Sequence, residues 1–207
     1  ISYKSLSYQE SKQNRYENDV RCPNPEIAEK MKSAIIDARK NGDSLGGIVE
    51  SISVGLPVGL GEPIFSSMES DLSKALFSIP SVKAIEFGSG FSGTKLKGSE
   101  NNDEYVLSED NKIITKTNNS GGILGGLTNG MPLVIRIGFK PASSIAKKQK
   151  TIDLVSNTEC DIVVPGRHDP CVVPRAIPVV ESLVSLILAD HAIRWNLIPS
   201  VLSEGKK

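Results

Sequence analysis

The chain lacks an excess of charge of either sign: 24 lysines and arginines balance 24 aspartates and glutamates among 207 residues, so no overall field selects nucleic acid or an anionic membrane. Charge-based recognition must be local. Cysteine is scarce: Cys22, Cys160 and Cys171 are odd in number and without metal-ligand spacing, which predicts reduced packing thiols in a reducing compartment and no metal site. No long hydrophobic run is present. The most apolar stretch, Val179 to Ala189, is short for a membrane span and is interrupted by Glu181, Ser182 and Ser185, which predicts a buried helix. Ile1 opens the sequence without methionine, charged leader or small-residue cleavage pattern, so the expectation is a fragment or processed product. A glycosylation triplet, Asn118-Asn119-Ser120, has no other sign of secretion beside it.

What is there is 39% hydrophobic content, enough for one substantial domain or a large piece of one. Residues 1–20 are polar and aperiodic, as in an arm or the remnant of a preceding element, and 21–207 form the domain. Asn24 and Pro25 start a helix, Ile27, Ala28, Met31, Ala34, Ile35 and Ala38 fall on one face, and Asn41-Gly42 closes it. Gly47 to Gly55 alternates as a half-buried strand with Ile48, Ile52 and Val54 on one side and Val49, Ser51 and Ser53 on the other. Ser66 and Glu69 read as a capping box for a second helix carrying Met68, Leu72, Ala75 and Leu76, ended by Pro80. Val82 to Phe87 and Met131 to Phe139 are strands, the latter with Leu133, Ile135, Ile137 and Phe139 sharing a face, and a long polar loop lies between them. A last helix runs from about Pro178 to Arg194, apolar nearly all round, hence buried in the molecule or between subunits. The polar tail Ser203 to Lys207 frays. This order, without βαβ punctuation, predicts an α+β class with mostly antiparallel strands.

Three stretches carry donors or titratable groups. In Asn118 to Gly130 the glycines come in pairs, at Gly121-Gly122 and Gly125-Gly126, where bare backbone amides can approach an anion or a flat ring; a purely structural loop has the same composition. Lys140-Pro141-Ala142-Ser143-Ser144 clusters an ammonium, two hydroxyls and turn amides, which suit a phosphate or an ordinary serine turn. The same reading places Gly125 and Lys140 at the two ends of one strand hairpin. Gly166-Arg167-His168-Asp169-Pro170 sets a guanidinium, an imidazole and a carboxylate in succession, either an oxyanion site with a proton relay or a salt-bridged turn. His191, mid-helix among apolar residues, reads as a hydrogen-bonded core histidine.

Taken in order, Val20-Arg21-Cys22-Pro23, Gly42 to Gly47, Pro57 through Gly61-Glu62-Pro63, Gly98-Ser99-Glu100, the paired-glycine loop, Phe139-Lys140-Pro141, and Arg167 to Cys171 with Glu181 resemble the chorismate synthase family from Val20 to about Arg194. The resemblance implies a β-α-β sandwich of antiparallel sheets around helices, present here as a partial domain. It also implies a carbon–oxygen lyase of the shikimate pathway, which makes chorismate for aromatic amino acid biosynthesis by 1,4-elimination of phosphate from 5-enolpyruvylshikimate 3-phosphate. Reduced FMN is the implied cofactor, with NADPH where a member reduces its own flavin, and the implied assembly is a homotetramer. The implied FMN contacts are Pro80, Ser81, Gly125, Lys140, Pro141, Ala142, Ser143, Ser144 and Arg167. Arg167 also lies by the substrate phosphate or carboxylate, and Asp169 assists proton removal near the flavin. A cytoplasmic location follows, or a plastid after loss of a transit peptide; neither nucleic acid nor membrane is a partner. At Pro80-Ser81 some relatives carry Asn-Ala, so main-chain contacts are the ones carried over. The family's Ser-His-Gly motif, a second catalytic histidine, Ser-Ala-Arg and several substrate arginines are not in these residues, and His168 and His191 do not replace them. Besides the lyase seen in part, two readings stay open: a non-catalytic flavin-binding or assembly module of the same fold, and an unrelated α+β phosphate-binding protein.

Overall fold

Asn24 and Ser67 show how directly side-chain chemistry sets the helix starts. The Asn24 carboxamide accepts from the Ile27 amide at 3.0 Å, Pro25 occupies the first turn, and helix α2 runs Pro25–Lys40 after a shorter α1, Tyr8–Asn14. The anticipated face of α2 is the inward one, with Ala28 and Ala38 buried and Ile27, Met31, Ala34 and Ile35 half-buried. Strand β1 is Gly47–Ser53. Helix α3, Met68–Phe77, is capped by Ser67, which accepts from the Ser70 amide, one residue later than the Ser66–Glu69 box. Ser66 is instead the last residue of the 3-10 turn Ile64–Ser66 that precedes it.

The computed structural model describes residues 8–199, so the tail Ser203 to Lys207 lies outside the described residues. Strand β2 is Val82–Phe87. The polar stretch after it is not one loop: it holds two single-turn helices, α4 at Gly90–Gly93 and α5 at Gly98–Asn101, and two small hairpins. The first pairs β3, Tyr105–Leu107, with β4, Ile113–Thr115; the second pairs β5, Ile123–Leu124, with β6, Leu127–Thr128, and both are antiparallel. Strand β7, Leu133–Phe139, is the middle of a three-stranded sheet in the order β1-β7-β2. An antiparallel ribbon follows, β8 at Gln149–Asp153 and β9 at Thr158–Ile162, then helix α6 at Val173–Arg194. The class is α+β.

The chain divides into two compact units. One takes the chain up to Ile48 together with Gly138–Ile177; the other takes Val49–Ile137 and the chain from Pro178 onward. The core of the second unit is built on period-two alternation in β7, where Leu133, Ile135 and Ile137 are fully buried. On α3, which packs on β2, Met68, Leu72 and Leu76 are buried to the same degree, each contributing roughly 1.5–3 kcal/mol of apolar burial. β1 presents the opposite face to the one its apolar pattern suggests: Val49 is 6% exposed and Ile48 65%. The reason lies across the sheet. Arg136 on β7 donates to Glu50 on β1 at 2.8 Å and to Glu86 on β2 at 3.2 Å, so Glu50 must share a face with Arg136 and Val49 turns to the core. The same guanidinium donates to the Gly88 carbonyl at 2.7 Å, so one side chain ties all three strands.

α6 begins five residues earlier than expected, at Val173, with Pro174 in its first turn and Pro178 inside it. By length and composition it also meets the description of a helix that can cross a membrane. It is not buried all round as its composition suggests, since Val179 and Leu186 are exposed while Val180 and Val184 are buried. His191 is the core histidine foreseen: it is fully buried and its Nε2 lies 3.1 Å from Asp71 Oδ2 on α3, which Arg194 also approaches at 3.7 Å.

Ile135→Ala should lose about 2–5 kcal/mol of stability in urea denaturation, and Ile48→Ala no more than about 0.5 kcal/mol. The reverse ranking would mean that the β1 faces are assigned wrongly.

Candidate functional site

In the first unit, the segment Gly42 to Gly47 is the common neighbour of the two stretches that carry candidate site residues. On one side the Ser44 hydroxyl donates to the Ala142 carbonyl at 2.6 Å, and the Ala146 amide donates to the Gly42 carbonyl at 3.0 Å. Gly46 lies flat against the same stretch, where a Cβ would overlap the Phe139 carbonyl oxygen and meet Pro141 at 3.0 Å, so no other residue fits. On the other side the Leu45 amide donates to the Pro170 carbonyl at 2.7 Å, forming a parallel bridge to Cys171. Lys147 holds Asp43 at 2.6 Å; that hydrogen bond, with the Ser44 amide, keeps the Asp43 carboxyl below its usual range. The stretches containing Lys140 to Ser144 and Arg167 to Asp169 are thus fastened to one short strand of backbone.

Lys140 is partly exposed, its ammonium 3.5 Å from the neighbouring Pro141 carbonyl, and Pro141, Ser143 and Ser144 are exposed. Arg167 is exposed too. Among the described residues no hydrogen bond or ion pair engages the Ser143 and Ser144 hydroxyls or the Arg167 guanidinium. These are unspent donors of the kind a phosphate accepts from. The other two members of the Arg167-His168-Asp169 run are already engaged. His168 Nε2 lies 2.9 Å from the Val164 carbonyl, and Asp169 accepts from Arg175 at 2.7 Å. The three side chains therefore go to separate partners and form no relay among themselves. Arg175 was not singled out from sequence, though a signal exists: a cation in the first turn of a helix opposes the macrodipole and calls for an acid nearby. Burial pushes the Cys171 thiol up, which favours the neutral thiol.

Pro80, Ser81 and Gly125 belong to the second unit. Ser81 takes φ +73° in the turn between α3 and β2, a left-handed conformation that fixes its main-chain groups. Gly125 and Gly126 are the two turn residues of the β5–β6 hairpin, with φ +62° and +87°, as a two-residue turn with both residues left-handed requires. A Cβ at Gly126 would meet Ser67 at 2.8 Å, whereas one at Gly125 would meet nothing within 4 Å. Gly125 is thus the glycine of that pair with open space over its backbone. The hairpin runs from Ile123 to Thr128, so Lys140, which follows β7, is not at its other end.

The entry to this glycine stretch is held by Asp103, which sequence reasoning missed. Its two carboxylate oxygens accept from the Thr117 hydroxyl and Asn119 amide, both at 2.7 Å, and from the Ser120 amide and hydroxyl at 2.8 and 2.6 Å. Burial alone would raise its pKa, but the hydrogen bonds from Ser120, Thr117 and Asn119 outweigh it and leave the group below its usual range. The acceptor asparagine of the glycosylation triplet has a separate partner: Asn118 donates to the Pro132 carbonyl at 2.7 Å, and its carboxamide oxygen is buried. An aspartate seventeen residues from its partner serine leaves no periodic trace.

Asp103→Ala should destabilise the chain by about 2–3 kcal/mol. Because its folded pKa is depressed, the contribution of Asp103 is fully present above the ordinary aspartate range and is lost as pH falls through the lower folded value. Urea midpoints of wild type and Asp103→Asn should converge in that acid window; a gap that persists there would exclude the ionised carboxylate as the stabilising species.

The sequence model described as Chorismate synthase matches residues 2–193. A chorismate synthase of Rippkaea orientalis is 52% identical over 179 residues, 86% of this chain and 49% of the relative. One from Korarchaeum cryptofilum is 54% identical over 180 residues, 87% of this chain and 50% of the relative, and one from Dehalococcoides mccartyi is 46% identical over 204 residues, 99% and 56%. A crystal structure of a chorismate synthase matches with a TM-score of 0.73 at 29% identity, over 90% of this chain and 48% of that one. The chain spans about half the length of the curated relatives it matches. With the family's sequence pattern running through nearly all of it and the fold in agreement, the chain belongs to the chorismate synthase family.

Proposed function

We propose that this chain is the part of a chorismate synthase that grips the cofactor phosphate and one side of the substrate, in the 1,4-elimination of phosphate from 5-enolpyruvylshikimate 3-phosphate. The observation that carries the reading is the fastening of the Lys140 and Asp169 stretches to Gly42–Gly47, beside donors left without partners. Reduced FMN fits that donor set: Lys140, Ser143 and Ser144 would hold its phosphate. When bound, FMN supplies the electron-rich group that assists departure of phosphate.

The protein's own residues then act by position and charge. The Arg167 fork faces a leaving phosphate or a substrate carboxylate with planar, paired donors, an electrostatic role that grows as negative charge develops. Asp169 accepts a proton near the flavin, its carboxylate oriented by the 2.7 Å bond from Arg175. NADPH serves where the enzyme reduces its own flavin, and the working assembly is a homotetramer. A cytoplasmic or plastid location goes with this pathway. The acids that keep flavin and leaving group protonated belong, in this reading, to the family's Ser-His-Gly and second histidine motifs.

Lys140→Ala should weaken FMN binding about tenfold or more, read by quenching of flavin fluorescence, since a charge-assisted hydrogen bond is lost. Unchanged affinity would place the cofactor phosphate elsewhere and overturn the role given to Lys140. The 207 residues alone should bind FMN without forming chorismate. Substrate that tightens FMN binding supports the lyase reading, and FMN binding indifferent to substrate supports the non-catalytic module.

A further inference from the structure

A two-stranded ribbon is marginal by itself in water, and the β8–β9 ribbon leaves much of its apolar surface uncovered. Its register sets Lys150 opposite Asp161 and Ile152 opposite Glu159, so these four share one face. All four are exposed. Ile152 is 56% exposed, and the turn beyond it carries Leu154 and Val155 at 91% and 99%. The surface over Lys150, Ile152, Leu154 and Glu159 is open and shallow.

We propose that this face docks against the same face of a second copy of the chain. A two-fold contact brings one patch against itself, so the patch must complement its own charges. Inside one copy the charges balance but their pairing is uneven, two lysines sharing one acid while the second acid stands alone. Lys148 and Lys150 both bond Asp161, at 2.7 and 2.9 Å, while the Glu159 carboxylate has no partner among the described residues. A two-fold axis at Ile152 sets Lys150 of each copy against Glu159 of the other and closes Ile152 and Leu154 between them. Equal numbers of positive and negative side chains leave no long-range repulsion to oppose the approach. The inference gives the oligomer of the proposed function a contact surface, and rests on that reading in requiring that copies associate.

Sedimentation velocity on the full chain over a concentration series tests it, with circular dichroism as the check on folding. Association should weaken at least about tenfold in Leu154→Asp/Val155→Asp, where a charge enters the contact, and in Lys150→Glu or Glu159→Lys, where like charges meet. The combined Lys150→Glu/Glu159→Lys chain should associate again. Failure of that double reversal to restore association would overturn the two-fold pairing. Association indifferent to all these changes overturns the ribbon contact and leaves a tetramer formed elsewhere. A wild-type chain that stays monomeric at every concentration overturns both, assigning the ribbon to the remaining half of the family's fold, and FMN binding reports separately on the lyase reading.

Discussion

Gly46 has no room for a side chain, and the first unit is organised by that fact. Because the backbone at Gly46 lies against the Phe139 carbonyl and Pro141, Ser44 can reach the Ala142 carbonyl and Leu45 can bridge to Pro170 and Cys171. One short stretch thus sets the positions of a loop rich in phosphate donors and a loop carrying an arginine and an aspartate. Neither loop has a regular element of its own to hold it there, since Lys140 to Ser144 and Arg167 to Pro170 lie outside helices and strands. A backbone-to-backbone clamp is a stiff way to hold loops, because it involves few rotatable side chains.

The second unit reaches the same end by a different route. Its glycine stretch is held by Asp103, one carboxylate taking four donors, and its hairpin turns at Gly125-Gly126 with Gly126 seated on Ser67. Its sheet is held from outside by Arg136 between Glu50 and Glu86 and from inside by Leu133, Ile135 and Ile137. Both units hold their irregular stretches by ionic or backbone contacts, and the second adds an ionic tie to the apolar packing of its sheet.

That division explains what could be read from sequence. The α2 face, both edges of β2, the inward side of β7 and the buried His191 follow from periodicity, which records packing directly. The β1 faces were misread because Ile48, Ile52 and Val54 outnumber Val49 in apolar weight, while the deciding contact is Arg136 to Glu50, eighty-six residues away in sequence. The α3 cap slipped by one residue because adjacent serines, Ser66 and Ser67, carry the same chemistry and only the geometry of the preceding 3-10 turn separates them. Asp103 left no pattern, since it acts through partners brought close by folding, and Arg175 left only its place in the first turn of α6. Lys140, Ser143, Ser144 and Arg167 stood out through the family's motifs, and the structure adds what motifs do not contain, namely which of their donors are still unpaired.

Hydrogen exchange measured by mass spectrometry on Gly46→Ala tests the clamp most directly. The account predicts that amides in 139–147 and in 166–172 gain exchange together, while the Leu133–Ile137 amides of β7 keep their protection. A change confined to one of the two stretches, or none in either, would contradict it.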